Sequence, residues 1–407
     1  MRVDPKRSMN VLVISTSFFP KIDGMIRTVD NQCKVLAEAG NRVYLVNAER
    51  RRGHDDGSHP YSVRRANLRG KRGISLFVYP LVILRIYQEA EKICKQENID
   101  VCLAYGNAPT ICALALKLRR SIPVVESITD ISSLAPHRGK NLDFRMAVTQ
   151  AVVRLSSVGV DGYIFPTGYL RTQLERAVHM RFKKYAIIPD GVNVEKFSPR
   201  PIKEPLRNVV LYVGNLRKRK GLEDLISAAP TVISRVPDVR FVFVGEGLLD
   251  GALHRMVAQH RMEANFEFLG RVSEEALAEQ YNRTNVYVVP TRFDGYPTSV
   301  LEAMAFAKPV VTTKDSVSDR EGIVVDGKTG FLVDVGDSKR LSEVILSLLE
   351  DRKLAETLGL NARALVASEH GLEKVRSDLI RYLESFLPRS RGPAHPDISC
   401  DCLDPGF

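Results

Sequence analysis

The stretch from Asn285 to Val311, NVYVVPTRFDGYPTSVLEAMAFAKPVV, constrains the fold more than any other. Val286 to Val289 is a short apolar run that reads as a buried strand. Pro290 ends it, and Thr291 to Pro297 form a loop that pivots on Gly295. Thr298 and Ser299 stand where they can cap a helix running from about Val300 to Ala307. Lys308-Pro309 closes that helix and launches a second strand through Val310, Val311 and Thr312. Strand, glycine loop, helix and strand make a βαβ unit, which predicts a parallel sheet.

The loop–helix junction also carries chemistry. Asp294 lies in the loop and Glu302 in the start of the helix. Backbone N–H groups at a helix N-terminus attract phosphate, and carboxylates accept hydrogen bonds from sugar hydroxyls. The plain alternative is an ordinary connection in which Glu302 only favours the helix dipole.

The stretch resembles the donor-site signature of the group 1 (family 4-like) glycosyltransferases, retaining enzymes of the two-domain GT-B fold that include lipid and polysaccharide mannosyl- and glucosyltransferases. That family carries two Glu separated by seven residues. Here Glu302 matches the second, and Asp294, one methylene shorter, stands for the first. The resemblance implies two Rossmann-like α/β domains, each a parallel sheet wrapped by helices, facing across a cleft.

The remaining chain is read in that light. Asn10 to Thr16 is an apolar strand, the loop SFFPKIDGMIRT follows, and Val29 to Ala39 reads as a helix. Gly24 resembles the surviving member of the family's paired glycines, which face the donor diphosphate. Where the family places His-Asp on the acceptor side, this chain has Thr129-Asp130, and Thr129 cannot relay a proton as imidazole does. His137, a few residues on, reads as an exposed loop histidine. Ala186 to Phe197 resembles the family's domain junction, and Pro199 to Pro205 reads as a linker.

In the second half, Val209 to Val213 is a strand leading through Gly214-Asn215 to Lys220-Gly221 and a helix. The resemblance implies that an Arg and a Lys here hold the diphosphate. Lys220 matches the Lys; Asn215 replaces the Arg, with Arg217, Lys218 or Arg219 as candidates to restore the charge. Gly270, Arg271 and Val272 would border the nucleobase, and Gly295, Tyr296, Pro297, Thr298 and Ser299 complete the donor set. Asp294, Lys220 and Glu302 are the implied catalytic residues. The resemblance implies no metal and no cofactor, the nucleoside-diphosphate sugar (UDP- or GDP-linked) being the donor substrate.

The organisation expected is an acceptor-binding domain over 10–186, a junction over 187–205 and a donor domain over 206–370. A helix over 371–387 crosses back to the first domain, and 388–407 is a flexible tail. Helices are expected from Ser338 to Leu360 and from Leu372 to Phe386.

Charge bears on partners. Residues 1–200 hold 32 Lys+Arg against 18 Asp+Glu, a net of +14, whereas 201–407 hold 27 against 30, a net of −3. No nucleic-acid motif is visible and no aromatic residues interleave with the basic clusters; an anionic membrane partner and a generally basic solvated surface both account for the balance. The run ISLFVYPLVILRIY from Ile74 reads as core in preference to an interfacial segment. Cys33, Cys94, Cys102 and Cys112 sit in apolar patterns and read as buried thiols, so a cytoplasmic protein is expected, peripheral to the membrane at most. The function implied is transfer of a sugar to a lipid, glycolipid or growing glycan with retention. A sugar-nucleotide epimerase and a non-catalytic sugar-nucleotide binder are the alternatives.

Overall fold

A computed structural model describes residues 8–16, 24–49, 59–67, 79–128, 150–201, 208–293 and 295–388. Asp294, Thr129, Asp130 and His137 lie outside the described residues, as do Arg50–Arg52 and the start of the Ile74 run.

Two parallel sheets carry the chain. The first has strand order β3-β2-β1-β4-β5-β6-β7: β1 (Asn10–Ser15), β2 (Arg42–Glu49), β3 (Ser62–Asn67), β4 (Val101–Tyr105), β5 (Val124–Ser127), β6 (Gly162–Phe165) and β7 (Tyr185–Ile187). The second has order β10-β9-β8-β11-β12-β13: β8 (Val209–Val213), β9 (Arg240–Val244), β10 (Phe266–Gly270), β11 (Val286–Val289), β12 (Val310–Thr313) and β13 (Gly330–Val333). Helices cover both faces, so the central strands β4, β8 and β11 are buried along their whole length. Their β-branched, apolar sequences suit that double burial.

Four hydrophobic clusters fill the layers, three around the first sheet and one large one around the second. The last helix, Leu372–Glu384, places Val375, Leu379, Ile380 and Leu383 in one cluster with Val11, Val13, Val29 and Val35. The chain thus returns to the first sheet after building the second. Both crossings run side by side, Val192 N–H donating to the His370 carbonyl at 2.9 Å. Glu321 spans the two halves, accepting from the backbone N–H groups of Gly168 and Tyr169.

Three expectations are corrected. The first helix starts at Gly24 and ends at Glu38, a turn and more before Val29. The span expected as one helix from Ser338 breaks at Asp351, whose carboxylate accepts from Leu354 N–H and starts a second helix, Arg352–Glu369. The helix of the opening stretch runs from Thr298 to Ala305 with Pro297 at the N-cap position and no side-chain cap. Neither Thr298 nor Ser299 caps it; Ser299 Oγ is taken by the Tyr287 hydroxyl at 2.8 Å. The described part of the Ile74 run is the helix Tyr79–Gln96, which buries Val82, Ile86, Ala90 and Ile93 and leaves Leu81 and Leu84 about half exposed. All four apolar-pattern cysteines are buried free thiols.

Candidate active site

A cavity of about 420 Å³ opens at the carboxyl ends of β8, β9 and β10. That edge is where open parallel sheets present their loops and bind ligands. The strand-ending turns Val213-Gly214-Asn215 and Val244-Gly245-Glu246 form part of the wall.

Lys220 enters through a tight local device. It ends a single 3-10 turn, Lys218–Lys220, and is 7% exposed. Gly221 follows with φ +67°, in the left-handed region that favours glycine. A Cβ there would run into the Pro290 carbonyl oxygen. Glycine therefore lets the Lys220 turn press directly against the loop after β11. Further bonds fasten the same two segments. The Arg219 carbonyl accepts from Arg292 N–H at 2.7 Å and from Thr291 Oγ1 at 3.1 Å, and Arg219 Nη1 donates to the Phe293 carbonyl at 3.3 Å. Arg292 in turn pairs with Asp224 at 2.9 Å, on the helix that follows Lys220.

Glu302 sits in the second turn of the Thr298–Ala305 helix and is 2% exposed. A buried carboxylate needs partners. Tyr281 supplies one, its hydroxyl donating to Oε2 at 2.8 Å, and Arg27 ion-pairs with Oε1 from the first helix of the chain. Burial raises the Tyr281 phenol well above its usual range, so it remains a donor.

Tyr296 lines the cavity, yet its hydroxyl points the other way, 3.1 Å from His370 Nδ1 at the crossing between the halves. Burial lowers His370 to about 4 and keeps its ring neutral. The buried Asp190 lies close to Tyr296 on the other crossing, and burial pushes its carboxyl up to about 7 against a bond from Thr28. The approach to the Thr298–Ala305 helix is thus moored at the crossing.

Of the residues singled out in the sequence, Gly214, Asn215, Lys220, Arg271, Val272, Tyr296, Pro297, Thr298, Ser299 and Glu302 meet in this one cavity. Gly270 ends β10 just before Arg271, with φ +60°. Gly24 opens the first helix, and Arg27 of the same helix reaches the cavity. Of the three cations offered to replace an Arg at Asn215, Arg219 lines the cavity; Arg217 and Lys218 do not. Thr298 N–H, expected to face phosphate, donates to the Tyr296 carbonyl at 3.0 Å.

Sequence reasoning missed Arg27, Tyr281, Glu246, Glu274 and Leu277. Glu246 and Arg271 pair at 3.0 Å across the exposed rim. Arg27 directly follows the buried Ile26 at the start of the first helix, and nothing local in the sequence ties it to Glu302.

Among the described residues, no group of three His, Cys, Asp or Glu is placed to hold a metal ion, and no helix is long and apolar enough to cross a membrane.

Comparison with known proteins follows the same division. The family model "Glycosyltransferase Family 4" matches residues 22–196, and "Glycosyl transferases group 1" matches residues 194–365. The chain is 27% identical over 360 residues to the Uncharacterized glycosyltransferase MJ1178 of Methanocaldococcus jannaschii, covering 87% of this chain and 92% of that one. It is 32% identical over 188 residues to the capsular polysaccharide biosynthesis glycosyltransferase CapM of Staphylococcus aureus, a match spanning 45% of this chain and 48% of that protein. Among solved structures, Anabaena Alr3699/HepE in complex with UDP-glucose superposes with a TM-score of 0.74 at 19% identity, covering 93% of this chain and all of that one. The two facing parallel-sheet domains are the GT-B fold, and the chain belongs to the group 1 glycosyltransferases.

Proposed function

We propose that this glycosyltransferase takes its sugar from a nucleoside-diphosphate donor, seated in the cavity at the carboxyl ends of β8, β9 and β10. The observation that carries this reading is the meeting of buried Lys220 and buried Glu302 beside a helix start, in one cavity of about 420 Å³. Lys220 would face the diphosphate, where a cation held in a dry site stabilises the charge on the leaving group. Glu302 would hold the ribose, Asp294 the hydroxyls of the sugar, and the residues at Arg271 and Val272 the base. Ser299 and the helix dipole would assist Lys220.

A uridine donor is favoured by the likeness to HepE, whose structure contains UDP-glucose. The acceptor class, a lipid, glycolipid or growing glycan, accords with the capsular polysaccharide relative. Transfer with retention and without a metal follows from the family resemblance. Exposed Leu81 and Leu84, with the +14 balance of residues 1–200, favour docking on an anionic membrane face.

The test is a thermal-shift panel of UDP-, GDP- and ADP-sugars, followed by a transfer assay with the stabilising donor. Stabilisation by one nucleotide class and anomer-retaining transfer are expected. No stabilisation by any nucleotide sugar would reject the donor site.

A further inference from the structure

Arg27 lies in the first turn of the helix Gly24–Glu38, and among the described residues it is what the first half contributes to the cavity lining. Its guanidinium pairs with Glu302 Oε1 while the side chain stays 20% exposed. The other carboxylate oxygen already takes the Tyr281 hydroxyl. A ribose hydroxyl that approaches Glu302 from the cavity therefore meets an oxygen shared with a cation from the opposite half.

The second half supplies three more lining cations, Arg219, Lys220 and Arg271. Arg271 turns to Glu246 at the rim, and Arg219 donates to the Phe293 carbonyl. Position 215, at the end of the β8 turn, carries a neutral Asn. Three carboxylates, Glu246, Glu274 and Glu302, line the same space. An incoming diphosphate thus meets a wall on which Arg27 and Arg271 are each held by a carboxylate, and Arg27 is released when Glu302 engages the ribose.

We propose that Arg27 is a diphosphate-binding residue delivered by the first half, exchanging Glu302 for the donor's phosphates as the ribose takes Glu302. The inference rests on the donor reading above and adds a ligand contact from the opposite half. Guanidinium suits the role, because its fork can serve carboxylate and phosphate oxygens alike.

The test separates phosphate contact from simple support of Glu302. UDP and uridine, with GDP and guanosine in parallel, are titrated calorimetrically into wild type, Arg27→Gln and Arg27→Lys, with melting temperatures confirming that each variant folds. Gln can still donate to Glu302, so Arg27→Gln should leave nucleoside affinity within about threefold and weaken diphosphate affinity roughly tenfold or more, the scale of a charge-assisted hydrogen bond. Arg27→Lys keeps the charge and should bind the diphosphate more tightly than Arg27→Gln. Unchanged diphosphate affinity in Arg27→Gln, or equal loss for nucleoside and diphosphate, would overturn the Arg27 assignment alone. Failure of wild type to bind either diphosphate would overturn the donor reading and this inference with it.

Discussion

The two walls of the cleft are built on different principles. The second-half wall is stitched together locally: Gly221 against Pro290, the Arg219 carbonyl against Thr291 and Arg292, Arg292 against Asp224. The first-half wall, among the described residues, reaches the cavity through one side chain, Arg27, across the gap between the halves. A rigid wall pre-organises charge, which is what a leaving group requires. A wall joined by an ion pair and by Glu321 can part and close, which is what donor entry requires. Substitutions on the second wall should therefore damage chemistry most, and those at the crossing should act through stability.

Lys220→Ala tests the rigid wall most severely. Loss of one pre-organised donor to a developing anion costs on the order of a hundred- to a thousandfold in turnover. Transfer at saturating donor should fall on that scale, and a drop of less than about threefold would remove Lys220 from the reaction. Asp294 comes next. Asp294→Ala should spare binding of the sugar-free diphosphate yet lower transfer by about tenfold or more, because sugar hydroxyls lose a charged acceptor. Asp294→Glu should retain measurable transfer. Normal transfer by Asp294→Ala would reduce the carboxylate pair to a helix-start feature.

The crossing should give the smallest effect, and a pH-dependent one. Asp190 is a buried carboxyl raised to about 7. A raised carboxyl favours the folded state fully below its unfolded value near 4, and that contribution is lost as pH rises through about 7. His370, lowered to about 4, acts in the opposite sense: its contribution is present above about 6.5 and is lost as pH falls through about 4. Asp190→Asn removes one ionisation, so its melting temperature relative to wild type should rise between about pH 4 and pH 7. A difference that stays constant over that interval would show that Asp190 does not titrate with folding.

The same contrast explains what could be read from the sequence. Strands such as Val209–Val213 and Val286–Val289 are announced by continuous apolar runs, and Lys220 by the glycine that follows it. Each of these signals is local. Arg27 and Tyr281 gain their meaning from Glu302, which is remote from both in sequence and joined to them only by the fold. The helix start at Thr298 departs from expectation for a related reason. Ser299 has the chemistry of a cap, but a buried tyrosine on β11 claims its hydroxyl. Local propensity identifies which groups can bond; tertiary packing decides with whom.

Calorimetric titration of UDP and GDP into wild type and Glu302→Ala tests the central claim most directly. If Glu302 holds the ribose of a bound nucleotide, the substitution should weaken binding of the preferred diphosphate by roughly ten- to a hundredfold, the worth of one to two hydrogen bonds to a charged group. Equal affinity in a folded Glu302→Ala protein would contradict the placement of the nucleotide in this cavity.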